Sequence, residues 1–101
     1  MGSVLMKMTP QQRTIARHAL GFDKGHGNKR SYRNHFSASF GSPNWWRWMQ
    51  MTRKGLADHE EGESDLYSLH WQRMDIFWLT RQGAEMALNR GEGLDKEDFP
   101  L

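Results

Sequence analysis

The sequence predicts a small α+β fold: a capped N-terminal helix, an extended basic segment, a Trp-rich helix, a β-hairpin and a C-terminal helix. Three observations predict it. "TPQQRTIARHALG" and "GSPNWWRWMQMTRKGLA" both carry helix start and stop signals. "SYRNHFSASF" and "DLYSLHWQ" alternate with the two-residue period of a strand, and "DIFWL" is apolar throughout, as a strand covered on both faces would be. With 101 residues, 37% of them hydrophobic, one domain with one modest core is expected, and five Trp and five Phe make that core one of few, large pieces.

Residues 1–8 read as a flexible lead, 9–92 as the single domain and 93–101, "GLDKEDFPL", as an acidic tail that Phe99 and Leu101 are placed to pin. In the first helix Thr9 is the N-cap, Pro10 takes the first helical position, Gln12 completes a capping box and Gly21 ends the helix, with Ile15, Ala19 and Leu20 turned inward. "FDKGHGNKR" is a Gly-rich basic connector. The extended segment puts Tyr32, Phe36, Ala38 and Phe40 on one side and Arg33, His35, Ser37 and Ser39 on the other, with Asn34 as a polar intrusion on the apolar side.

Ser42 and Pro43 open the Trp-rich helix and Gly55 stops it. At about 100° per residue, Trp45, Trp48, Met49, Thr52 and Leu56 form the expected inward stripe. Trp46 falls at its margin beside Arg53. "DHEEGES" reads as an acidic loop, "QRM" as the turn of a hairpin between "DLYSLHWQ" and "DIFWL", and "TRQGAEMALNRG" as a helix capped by Thr80 and closed near Gly91.

The net charge of +2 conceals a polarised chain. Residues 1–58 hold ten Lys/Arg against two Asp/Glu (+8), and residues 59–101 hold four against ten (−6). That asymmetry fits either a face that meets a polyanion or two halves that neutralise each other on folding. The absence of cysteine excludes disulfides and thiolate metal sites. No apolar run approaches the roughly 18 residues of a membrane span, so a cytoplasmic protein is expected.

From Trp45 to Leu88 the chain resembles the second half of a winged helix-turn-helix domain. There an amphipathic helix ends in a Gly-Leu step, an antiparallel wing follows, and the last wing strand enters a helix through Leu-Thr-x-x-Gly. The matching residues are Gly55 and Leu56 in "WMQMTRKGLA", and Leu79, Thr80 and Gly83 in "IFWLTRQGAEMAL". One clear helix precedes the candidate recognition helix, and the extended segment stands where that family has another. The chain as a whole, from "ARHALG" through "SYRNHF" to "IFWLTRQGAEMAL", is also similar to small uncharacterised bacteriophage and prophage proteins. The first resemblance implies a small winged-helix-like domain that binds DNA. The second implies a viral accessory or regulatory origin in a bacterial host, with no catalytic residues to carry over.

The candidate nucleic-acid contacts are Arg47, Gln50, Arg53 and Lys54 on the outer face of the Trp-rich helix, with Lys29, Arg30 and Arg33 as auxiliary phosphate contacts from a basic arm that also holds Lys24. The rival is that of an accessory protein that binds and modulates a host protein, of the inhibitor-of-defence kind, with Trp46 and Arg53 as anchors. Trp46 stacks on a base, fills a partner's pocket, or is covered by a neighbouring segment. A homodimer through the same surface suits either function.

Catalysis finds little footing. His26, Asn34 and His35 lack the spacing of a histidine-asparagine-histidine nuclease. His59, Glu60, Glu61, Glu63 and His70 read as solvated loop residues, and no nucleophile stands beside a base. The expectation is a non-enzymatic protein without cofactor or metal.

Overall fold

The computed structural model describes residues 7–22, 27, 29–62 and 73–100. Their order is α1 (Pro10–Leu20), β1 (Phe36–Ser39), α2 (Pro43–Arg53), β2 (Ala57–Glu60), β3 (Met74–Leu79) and α3 (Arg81–Met86). Among the described residues this is a small α+β arrangement of three helices on a three-stranded antiparallel sheet of order β1-β3-β2. The expected first hairpin strand, "DLYSLHWQ", lies outside the described residues, as do Lys24, His26, Glu63, His70 and Leu101.

The first helix follows its punctuation. The Thr9 side chain accepts from the Gln12 N–H, the Gln12 side chain accepts from the Thr9 N–H, and Pro10 occupies the first turn. Gly21 closes the helix at φ 92°, in the left-handed region that a side chain resists, and the Tyr32 ring packs where a Cβ would stand. Gln12, Ile15, Ala16, Ala19 and Leu20 are buried. Burial of Gln12 costs little because its amide donates to Gln50 Oε1 and accepts from Lys54 Nζ.

Three expectations are corrected. Asp58, His59 and Glu60 are the greater part of β2 rather than loop: Ala57 pairs with Leu79 and Glu60 with Ile76, because the ladder is specified by the apolar β3 and tolerates charge on the open face of an edge strand. The last helix ends at Met86, well before Gly91, since the Ala87 and Leu88 carbonyls and the Asn89 side chain turn away to accept from Arg17 and Arg13 of α1. Phe40, placed on the inner side of the extended segment, is 56% exposed. Alternation ceases where β1 ends at Ser39, and Phe40 belongs to the following turn.

Asn34, the polar intrusion, has a defined job. Its amide donates to the Leu79 C=O at 3.0 Å while its carbonyl accepts from the Leu79 N–H at 2.8 Å, so one side chain stands in for a strand partner just before the start of β1.

The core lies between the inner sheet face and the helices. It is built from Trp48, Phe77, Leu20, Met51, Leu56 and Leu79, all essentially without solvent contact. Trp48 stacks on Phe77 at 5.5 Å and 22°, and Phe36 lies tilted against Trp48 at 5.5 Å and 43°. Phe99 is 6% exposed and joins this core, while Arg81 donates to the Phe99 and Pro100 carbonyls. Residues 93–100 therefore lie against the domain.

Gly55 and Leu56 meet the start of α3. The Leu56 carbonyl accepts from the Thr80 N–H at 3.1 Å, the Thr80 hydroxyl donates to the Gly55 carbonyl at 2.8 Å, and Gly83 abuts the same Leu56 carbonyl.

Candidate nucleic-acid interface

Helix α2 is fixed at both ends. The Ser42 hydroxyl accepts from the Trp45 N–H and Pro43 holds the first turn, while the Lys54 N–H bonds back to Met51 and Thr52. Trp45, Trp48 and Met51 are buried; Met49 and Thr52 are half-buried. The inward stripe is thus turned about 50° from the expected one, toward Trp48 and Met51. The reason is tertiary: Phe77 and Phe36 present their rings to Trp48, and Met49 is left at the margin.

The opposite face carries Pro43, Trp46, Gln50 and Arg53, all exposed and spaced so as to form one line along successive turns. Arg47 and Lys54 flank that line, each half-exposed. The Arg47 guanidinium donates to Asn44 Oδ1, and the Lys54 ammonium donates to the Lys7 carbonyl and to Gln12. Among the described residues no carboxylate lies within ion-pair distance of Arg47, Arg53 or Lys54; the carboxylate-paired arginines are Arg17, Arg73 and Arg81.

Beneath this face is a polar hub that the sequence reading missed. Asp75 is completely buried. One of its oxygens accepts from the Gly62 N–H at 2.9 Å and Arg73 Nε at 2.8 Å. The other accepts from the Trp45 indole N–H at 2.7 Å and Arg73 Nη2 at 2.9 Å, with His59 Nε2 at 3.0 Å. An ionised carboxylate only accepts, so His59 bonds to it through Nε2–H. Burial pushes the Asp75 carboxyl up, yet the donors from Arg73, Trp45, Gly62 and His59 outweigh it and hold the group well below the usual carboxylate range. His59, expected to solvate a loop, instead stacks on Phe77 at 4.8 Å. The legible signal was an aspartate at an inward position of an otherwise apolar strand, two residues after an arginine.

The hub locks Trp45, and Trp45 in turn braces two exposed rings. Phe40 meets it edge to face at 4.8 Å and 69°, and Trp46 meets it at 4.8 Å and 88°. Trp46 is 51% exposed, so it is not the covered indole that one reading of the sequence allowed. The Arg73 guanidinium lies over the Phe40 ring, 4.2 Å from its centroid.

The basic arm lies elsewhere. The Ser31 N–H donates to the Gly93 carbonyl and the Gly93 N–H to the Lys29 carbonyl, giving a parallel bridge between the connector and the tail. Arg30 donates to the Leu94 carbonyl, and Arg33 donates twice to the His18 carbonyl at the C-terminal end of α1. Lys54 reaches the opposite end of that helix, so Lys29, Arg30 and Arg33 form a group separate from the α2 cations.

Asn34 is committed to Leu79, and the His35 N–H donates to the Ala19 carbonyl. No group of three or more His, Asp or Glu among the described residues is placed to hold a metal ion. No helix among them is long and apolar enough to cross a membrane. Comparison with protein-family models, with curated proteins and with solved structures yields no match.

Proposed function

We propose that the protein binds nucleic acid through the outer face of α2, as a small non-enzymatic regulatory protein of the bacteriophage type. Arg47, Arg53 and Lys54 supply phosphate contacts, and Gln50 offers an amide suited to a base edge. The observation that carries this reading is that, among the described residues, these cations sit on an ordered helix with no carboxylate within ion-pair distance, whereas Arg17, Arg73 and Arg81 are paired with the protein's own carboxylates. Lys29, Arg30 and Arg33 then serve as auxiliary contacts from the far end of α1.

The contact between Gly55-Leu56 and Thr80-x-x-Gly83 supports the finer reading of a winged-helix-like domain, with α2 as the recognition helix and β2–β3 as the wing. The test is a fluorescence anisotropy titration with labelled DNA at two salt concentrations. Binding weakens steeply as salt rises, because each neutralised phosphate releases counterions. Absence of binding to any nucleic acid at low salt removes the reading.

A second reading is favoured by the exposure of Trp46. In it, Trp46 and Arg53 anchor a host protein that this chain modulates. Pull-down from bacterial lysate with wild type and Trp46→Ala separates the two: a partner lost on substitution supports the host-protein reading, and an unchanged partner list counts against it.

A further inference from the structure

We infer that the nucleic acid taken by this face is single-stranded, with bases stacking on Trp46 and Phe40 while the strand's phosphates follow Arg47, Arg53 and Lys54. The inference rests on the nucleic-acid reading above and names the form of ligand that the same face selects.

A duplex offers a helix its groove edges and phosphates but keeps its base faces stacked, so an exposed aromatic on a reading helix gains nothing from them. A single strand offers every base face to an aromatic side chain, and base-aromatic stacking is indifferent to sequence. Phe40 and Trp46 are among the large apolar side chains most open to solvent among the described residues, and both touch one buried residue, Trp45.

The bracing is unusually firm. Trp45 is 6% exposed, and its indole N–H is bound to a fully buried carboxylate that also holds His59 and Arg73. The two edge-to-face contacts fix the planes of Phe40 and Trp46 without covering them. Arg73 lies against one face of Phe40, which leaves the opposite face for a base and adds cationic character behind the ring. Ring planes set in advance reduce the ordering cost of binding. Trp46, Gln50 and Arg53 continue in one line along α2, and Trp46 and Arg53 are about 10 Å apart along the axis, a span that leaves room for consecutive nucleotides. Among the described residues no carboxylate lies within ion-pair distance of the cations along that line. The charge complement is therefore a polyanion rather than an acidic-and-basic protein surface.

The experiment uses the full chain and two fluorescein-labelled probes, a 20-nucleotide oligothymidine and a 20-base-pair duplex, titrated at low and moderate salt. Wild type, Trp46→Ala, Trp46→Phe, Phe40→Ala and the charge variant Arg47→Ala/Arg53→Ala/Lys54→Ala are compared, with circular dichroism to verify folding. Expected is a preference for the single strand of about tenfold or more. Trp46→Ala loses about tenfold or more of single-strand affinity, a loss typical of one stacked base, and Trp46→Phe recovers most of it. Duplex affinity is unchanged in both. Tighter binding to the duplex, or single-strand affinity indifferent to Trp46→Ala and Phe40→Ala, overturns the stacking inference while leaving the charge-based reading intact, provided the charge variant is weakened. Loss of binding to both probes in wild type overturns the two together. Should Trp46→Ala abolish a protein partner in a lysate but leave both titrations unmoved, the aromatic pair serves a protein and the inference is wrong.

Discussion

Gly83 stands so close to Leu56 that a Cβ built on it would meet the Leu56 carbonyl oxygen at 1.9 Å. The same carbonyl accepts from the Thr80 N–H, so the exit of α2 and the entry of α3 are joined through one backbone oxygen. The obstacle is backbone tied into a hydrogen bond, not the movable end of a side chain, and it cannot yield without separating the two segments. Gly83→Ala is therefore expected to destabilise the fold by about 2 kcal/mol or more, although alanine is the better helix former by about 1 kcal/mol. Urea unfolding monitored by tryptophan fluorescence measures this; a stabilised variant would show that the close approach is not real.

Removing the charge of Asp75 strands its donors. Asp75→Asn keeps the volume but leaves the Arg73 guanidinium and the Trp45 indole without their anion, and breaking a buried pair in this way costs about 3–5 kcal/mol. Trp45→Phe removes one donor and part of a ring, and about 1–3 kcal/mol is expected. Denaturant midpoints order the two; the reverse order would dismiss Asp75 as the organising group.

Acid should unfold the protein through two carboxylates. The guanidinium of Arg17, bonded to both Glu92 oxygens, overcomes burial and, with the Asn89 N–H and nearby Lys29, holds the Glu92 carboxyl at about 2. Asp75 is lowered by its donors in the same direction. In the unfolded chain both groups bind protons at ordinary carboxylate values. Their contribution is accordingly complete above about pH 5 and is lost as the pH falls from there toward about 2. Glu92→Gln should flatten the dependence of stability on pH in that window, with no change in its slope above pH 6. A variant as acid-sensitive as wild type would remove Glu92 from the account.

Asn34→Ala deletes both bonds to the Leu79 backbone and leaves a half-buried N–H and C=O to find other partners. A loss of about 1–3 kcal/mol follows. Faster amide hydrogen exchange at Leu79 is the specific readout, and unaltered protection there would contradict the pairing.

Arg53 is exposed, and among the described residues no carboxylate lies within ion-pair distance of it. Arg53→Ala should shift stability by less than about 0.5 kcal/mol. In a salt titration of nucleic-acid binding, the slope of log affinity against log salt should fall by about 1. A large stability change would make Arg53 a structural residue.

The starts of the three capped helices were legible because their signals are local. Thr9 with Gln12, Ser42 with Pro43, and Thr80 each act within a single turn, and each occupies the cap that its spacing predicts. The exposure of Trp46 was only partly legible, since helical periodicity puts it at the margin of the inward stripe and leaves open whether a neighbouring segment covers it. The strand Ala57–Glu60 was not, because charged residues on an edge strand look like a loop until a partner strand supplies the ladder. The separation of Lys29, Arg30 and Arg33 from the α2 cations could not be read either, because residues adjacent in charge count need not be adjacent in space.

By itself the chain determined where its helices begin, which of its residues are apolar, and that its cations gather in the first 58 residues. Cap geometry and side-chain polarity act over a few residues and need no knowledge of the rest. Only the tertiary structure decided that a buried Asp75 would draw Trp45 of α2 together with His59 and Gly62 of β2 and its exit, beside its own near neighbour Arg73. It alone left Phe40 and Trp46 open on either side of Trp45. The reason is that a charge leaves water only when several donors converge on it at once, and that convergence exists only after the sheet and α2 have packed.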